Sequence, residues 1–106
     1  MDIKCLPDHY SKLRARFKDY FDALDNLGEK ARHAGPLDDK SAHLIQLAAA
    51  AAIFSEGSVH SHARRALLAG ATEEELYHTL LIITSTVGFP TVAAAISWLE
   101  DVLQNR

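Results

Sequence analysis

The chain has 106 residues, 48% of them apolar, with 11 basic against 14 acidic side chains, a net charge of −3 and one cysteine. That length builds one domain, residues 1–106, and not two. The interspersed charges offer no basic stripe to nucleic acid or an anionic membrane, and the lone Cys5 excludes an internal disulfide framework or a two-thiol redox motif.

The first residues, Met1-Asp2-Ile3-Lys4, lack the basic-then-apolar order of a secretory signal. No segment reaches the ~20 apolar residues needed to span a bilayer. A cytoplasmic protein that engages neither membrane nor nucleic acid is expected.

From Pro7 to Leu27, apolar residues recur at Tyr10, Leu13, Phe17, Tyr20, Phe21, Leu24 and Leu27, the three-and-four spacing of one helix face. Gly28 supplies a left-handed ending, and Glu29 to Pro36 reads as a loop. Leu37-Asp38-Asp39-Lys40-Ser41 opens a second helix, with aspartates at its positive end. That helix runs to Phe54, and after Gln46 it has no polar face. Such a helix needs burial on every side, and a short chain has little with which to surround it. A homo-oligomer would supply the missing walls; a central helix in a monomeric bundle is the plainer alternative.

A third helix starts near Ser55–Ser58 and ends at Gly70. Thr72 and Glu75 stand at capping-box spacing and open a fourth, with its stripe at Leu76, Leu80, Ile83, Thr84 and Val87 before Gly88. Pro90 fits the first turn of a last helix that places Val92, Ile96, Leu99 and Leu103 inward. No window alternates with period two. The fold expected is all-α, about five helices.

The stretch from Ser55 to Gly70 resembles the carboxymuconolactone decarboxylase and alkylhydroperoxidase D-like superfamily. Members carry Cys-x-x-Cys-x-x-x-His, then an alanine-rich turn, Gly-Ala-Thr and a run of glutamates. Here Ser55, Ser58 and His62 stand at those positions, followed by Ala66, Gly70-Ala71-Thr72 and Glu73-Glu74-Glu75-Leu76. Lys40-Ser41-Ala42-His43-Leu44-Ile45-Gln46-Leu47-Ala48 is similar to the family's Lys-x-x-Glu-Leu-Ile-x-Leu-Ala helix opening, and Gly88-Phe89-Pro90 to its Gly-x-Pro turn. The likeness is strongest over residues 37–103.

The resemblance implies an all-helical fold assembled as trimers or hexamers, and two chemistries. One branch reduces peroxides with the cysteine pair, while a glutamate and the histidine relay protons. The other decarboxylates a small carboxylated lactone without metal or organic cofactor, using histidine and a carboxylate as acid and base. Both cysteine positions are serine here, and the relay glutamate is His43. Serine forms neither a sulfenic acid nor a disulfide, so the dithiol mechanism is chemically excluded.

His62 is therefore the leading proton-transfer candidate, since an imidazole gives and takes protons near neutral pH. His43 and Glu56 are its candidate catalytic partners. Ser55 and Ser58 are candidate substrate-binding hydroxyls or helix caps, and His60 a further substrate contact. On a helix, His60 and His62 point about 200° apart and cannot hold one ion together; a non-helical junction would let them do so with His43. Arg64 and Arg65 attract an anionic substrate or lie on a solvated face. Tyr77, His78 and Trp98 line a pocket or simply pack. Three functions follow: cofactor-free acid–base chemistry on a small organic acid, carbonyl compound or lactone; ligand or partner binding by a member that has lost catalysis; or a metal-dependent enzyme that uses His43, His60 and His62.

Overall fold

The all-helical expectation holds in a computed structural model that describes residues 8–106. The helices are α1 (Asp8–Arg16), α2 (Lys18–Arg32), α3 (Asp39–Ala52), α4 (Glu56–Leu68), α5 (Glu73–Ile82), α6 (Thr84–Val87) and α7 (Phe89–Gln104). Cys5 and Pro7 lie outside the described residues.

Three of these helices begin where a side-chain oxygen satisfies a backbone donor that the first turn leaves free. The Ser41 N–H donates to Asp38 Oδ1 at 2.8 Å, opening α3. The Ser58 N–H donates to Ser55 Oγ at 3.4 Å, opening α4. At α5 the reciprocal box is complete: the Glu75 N–H donates to Thr72 Oγ1 at 3.1 Å and the Thr72 N–H to Glu75 Oε1 at 2.9 Å. Each such cap contributes about 1 kcal/mol. Pro90 lies in the first turn of α7, where a missing N–H costs nothing.

The core joins α3, α4, α5 and α7. Leu47 from α3, Val59 and Ala63 from α4, Leu76 and Leu80 from α5, and Val92 and Leu99 from α7 are all fully buried. Each large apolar side chain withdrawn from water in this way contributes about 1.5–3 kcal/mol. Among the described residues, α3 and α4 share the most extensive contact. Both bury alanines in the core, Ala50 and Ala51 from α3 and Ala63 and Ala66 from α4, whose small side chains permit close approach. α1 and α2, by contrast, contain no buried residue.

Four features differ from the sequence reading. The first helix breaks at Phe17 into α1 and α2, and α2 runs through Gly28 as far as Arg32. One glycine costs a helix about 1 kcal/mol relative to alanine, too little to stop a run continued by Glu29, Lys30, Ala31 and Arg32. The fourth helix likewise breaks at Ile83, and the third ends at Leu68, short of Gly70, whose φ of 100° carries the turn. Finally, α3 is not buried all round. His43, Leu47, Ala50 and Ala51 are covered, whereas Ile45, and Ile53 just beyond the last residue, are exposed.

The α3–α4 connection fixes the site. Phe54 holds a left-handed φ of 59°, a conformation costing a non-glycine residue about 1–2 kcal/mol. Its ring meets Trp98 of α7 edge-on at 5.0 Å between centroids, a geometry that contributes about 0.5–1.5 kcal/mol beyond burial. This tight reversal brings α4 back along α3. Among the described residues, no helix is long and apolar enough to cross a membrane.

Candidate functional site

The return of α4 along α3 brings His43 and His62 together. Their ring centroids are 5.7 Å apart and the planes tilted by 32°. His43 is 7% exposed and His62 half-buried. Nδ1 of each ring is enclosed without a hydrogen-bond partner among the described residues. Such an orphaned buried atom costs about 1–3 kcal/mol and is uncommon outside functional or strained sites.

Both rings are pulled below the ordinary imidazole value. Burial, then Arg65, His43 and Arg32, pull His62 down from 6.5 to about 4. Burial is also the largest cause for His43, followed by Arg32 and Arg65, against a smaller upward pull from Asp39. Removing an imidazolium from water and placing it beside guanidiniums both disfavour the charge.

His43 forms part of the wall of a polar cavity of about 430 Å³, with Arg32 from the last turn of α2 and Arg65 from α4. Tyr10, Arg14, Asp25 and Glu29 contribute further polar wall. Arg14 is ion-paired to Asp25. Arg32 and Arg65 form no ion pair among the described residues. Three guanidiniums against two carboxylates leave this wall net positive, suited to an anion. A carboxylate bound between Arg32 and Arg65 would also cancel the charges that depress the imidazoles, returning them towards the range where proton transfer is efficient.

The other residues singled out by the sequence divide between two faces of α4. Ser58 and Arg65 are four before and three after His62, on the same face. Ser55 Oγ accepts the Ser58 N–H and serves as the helix cap. Glu56 and His60 turn instead towards α7, where His60 Nε2 lies 3.0 Å from Asp101 Oδ2. Their expected roles beside His62 as catalytic partner and substrate contact are not served by this placement. His60 and His62 do lie on a regular helix, so the shared-ion geometry with His43 does not form. Arg64 is buried and Arg65 exposed, which separates two neighbours that the sequence left equivalent. Tyr77 donates to Glu100 Oε2 at 2.9 Å and Trp98 packs on Phe54, both away from the cavity wall.

Arg32 was missed because it falls in the segment read as a loop. Continuing the α2 helix past Gly28 was the one signal that would have found it. The pairing of His60 with Asp101, 41 residues away, left no signal in the sequence.

A four-helix core with an imidazole pair between two of its helices, against a net-positive cavity, defines a small all-α domain built around a polar inter-helical site. The chain belongs to the carboxymuconolactone decarboxylase family, whose model matches residues 18–101. That match begins at the first residue of α2, so the family region includes the helix that carries Arg32. No curated protein and no solved structure gives a significant match.

Proposed function

We propose that the protein performs cofactor-free acid–base chemistry on a small carboxylated or carbonyl substrate, with His43 and His62 as the proton-transfer pair and Arg32 and Arg65 holding the carboxylate. The observation that carries this reading is the coincidence of two enclosed ring nitrogens with two guanidiniums, none of them hydrogen-bonded or ion-paired among the described residues. A neutral imidazole takes a proton from carbon beside a carbonyl, and the enolate's negative charge develops next to the guanidiniums. In a decarboxylation, carbon dioxide leaves with the bonding electron pair remaining on carbon, and an imidazole that has taken a proton from solvent delivers it to that carbon. Ser58, on the same face as His62, orients the substrate. Dithiol peroxide reduction is not proposed, because Ser55 and Ser58 occupy the sulfur positions.

The test is a panel of small carboxylic acids, their methyl esters and lactones, followed by thermal unfolding and then by product analysis. Acids are expected to raise the melting temperature and esters to fail, with the effect weakening as salt rises. Equal stabilisation by acids and esters would remove the arginine assignment. Stabilisation without any product would favour the second reading, a binding protein that has lost catalysis. The placement of Glu56 on the far face of α4 is the observation that speaks for that alternative.

We infer also that the chain assembles with copies of itself, as a trimer or hexamer. Leu24 and Leu27 on α2, Ile45 on α3 and Ile53 just beyond it, and Leu81 and Ile82 on α5 are all more than two-fifths exposed, apolar surface that a second copy could cover. Sedimentation velocity is expected to give a small multiple of 11.7 kDa. A single species at the monomer mass would overturn the assembly.

A further inference from the structure

Three potential metal ligands from two helices meet on the side of α4 away from the imidazole pair. Glu56 and His60 are one helical turn apart on α4, and Asp101 reaches them from α7. One ligand atom from each lies within 4.8 Å of the other two. The His60 side chain is 16% exposed, so packing restricts its ring, whereas that of Asp101 is 52% exposed and can adjust. His60 Nε2 and Asp101 Oδ2 are 3.0 Å apart, close to the separation of about 3.3 Å between neighbouring ligands of a tetrahedral ion bound at about 2.0–2.1 Å. The remaining separation closes by rotation of the exposed Glu56 side chain.

We propose that Glu56, His60 and Asp101 form a divalent-cation site that clasps α4 to α7. Two carboxylates and a neutral imidazole give a charge of −2, matching a doubly charged ion. The imidazole selects the zinc class over magnesium or calcium, which prefer all-oxygen sets. Three protein ligands leave a fourth tetrahedral position for water. The alternative is a simple ion pair between His60 and Asp101, with Glu56 solvated beside it.

This site and the His43–His62 cavity lie on different faces of α4, so they can be tested separately. Tag-free, chelator-treated protein is titrated with Zn²⁺ by calorimetry. One saturable site per chain is expected, weakened at least tenfold in Glu56→Gln and in Asp101→Asn and unchanged in His62→Gln. These near-isosteric replacements keep side-chain shape, and circular dichroism verifies their folding. In a second measurement, Co²⁺ is added and the imidazole resonances are followed, with paramagnetic shifts expected at His60. Absence of saturable binding, or binding indifferent to both carboxylate variants, overturns the proposal in favour of the ion pair. Paramagnetic shifts centred on His43 and His62 overturn it in favour of an ion at the cavity.

Discussion

Metal-free protein is expected to lose about 2 kcal/mol of stability as the pH falls from 6.5 to about 4, and His62→Gln should abolish most of that loss. The native ring stays neutral until about pH 4, whereas the unfolded chain protonates it near 6.5. Within this window the unfolded state binds more protons, so stability falls with falling pH; below it both states are protonated and the loss is constant. The full shift corresponds to about 3 kcal/mol, reduced to about 2 kcal/mol by solvent screening at a half-buried ring. His43 acts in the same direction. The carboxylates of Asp38 and Glu75, both held below their ordinary values of 3.8 and 4.5 by hydrogen bonds to backbone N–H groups, act in the same direction from those values downwards, so they overlap only the acidic end of this window and are common to the parent and His62→Gln.

Urea denaturation at pH 7 and at intermediate acidic values measures the effect. A loss of about 2 kcal/mol corresponds to a fall of roughly 10 °C in melting temperature for a domain of this size. Parallel pH curves for the parent and His62→Gln would mean that His62 titrates normally in the native protein. Arg65→Gln supplies a second check. It removes the largest charge that opposes the imidazolium, so its acid loss should be smaller than the parent's while the ring remains in place.

Local chemistry made most of the fold legible, and its failures are local too. Asp38, Ser55 and Thr72 mark helix starts because a short side-chain oxygen can satisfy backbone donors within its own turn. Phe17 and Ile83 interrupt helices with neither glycine nor proline, so nothing in the residue type announces the break. Gly28 misled in the opposite sense, because a modest propensity cost was read as a stop. The apolar run of α3 called for burial on every side, yet this chain covers only one side of it.

At the site, spacing was informative only within an element. His62 and Arg65 share a face by their separation along α4, as Glu56 and His60 share another. What crosses between elements was legible only through the family resemblance, which placed His43 with His62. Composition could not show that Arg32 joins them, since that depends on how far α2 continues. Nor could it show that Glu56 and His60 turn towards Asp101, since that depends on how α4 packs against α7.

The same division of labour predicts a separation of binding from chemistry. With a substrate from the acid or lactone panel, His43→Gln and His62→Gln are each expected to lower kcat by about 100-fold or more, the usual range for removing a positioned acid or base. Their KM values should change little, because the carboxylate is held by the guanidiniums. Arg65→Gln should instead raise KM by about 10-fold to 100-fold, matching the roughly 1.5–3 kcal/mol of a hydrogen bond between charged groups. Its kcat should fall less, since losing the guanidinium also lifts the imidazole towards working pH. Steady-state kinetics of the variants separates the terms, as losses confined to KM reflect binding equal in ground and transition states. If the histidine variants raise KM and spare kcat, the imidazoles bind the substrate and the proton is moved elsewhere. If His62→Gln is silent while His43→Gln is not, then His43 at the cavity wall acts alone and the ring behind it only shapes the site.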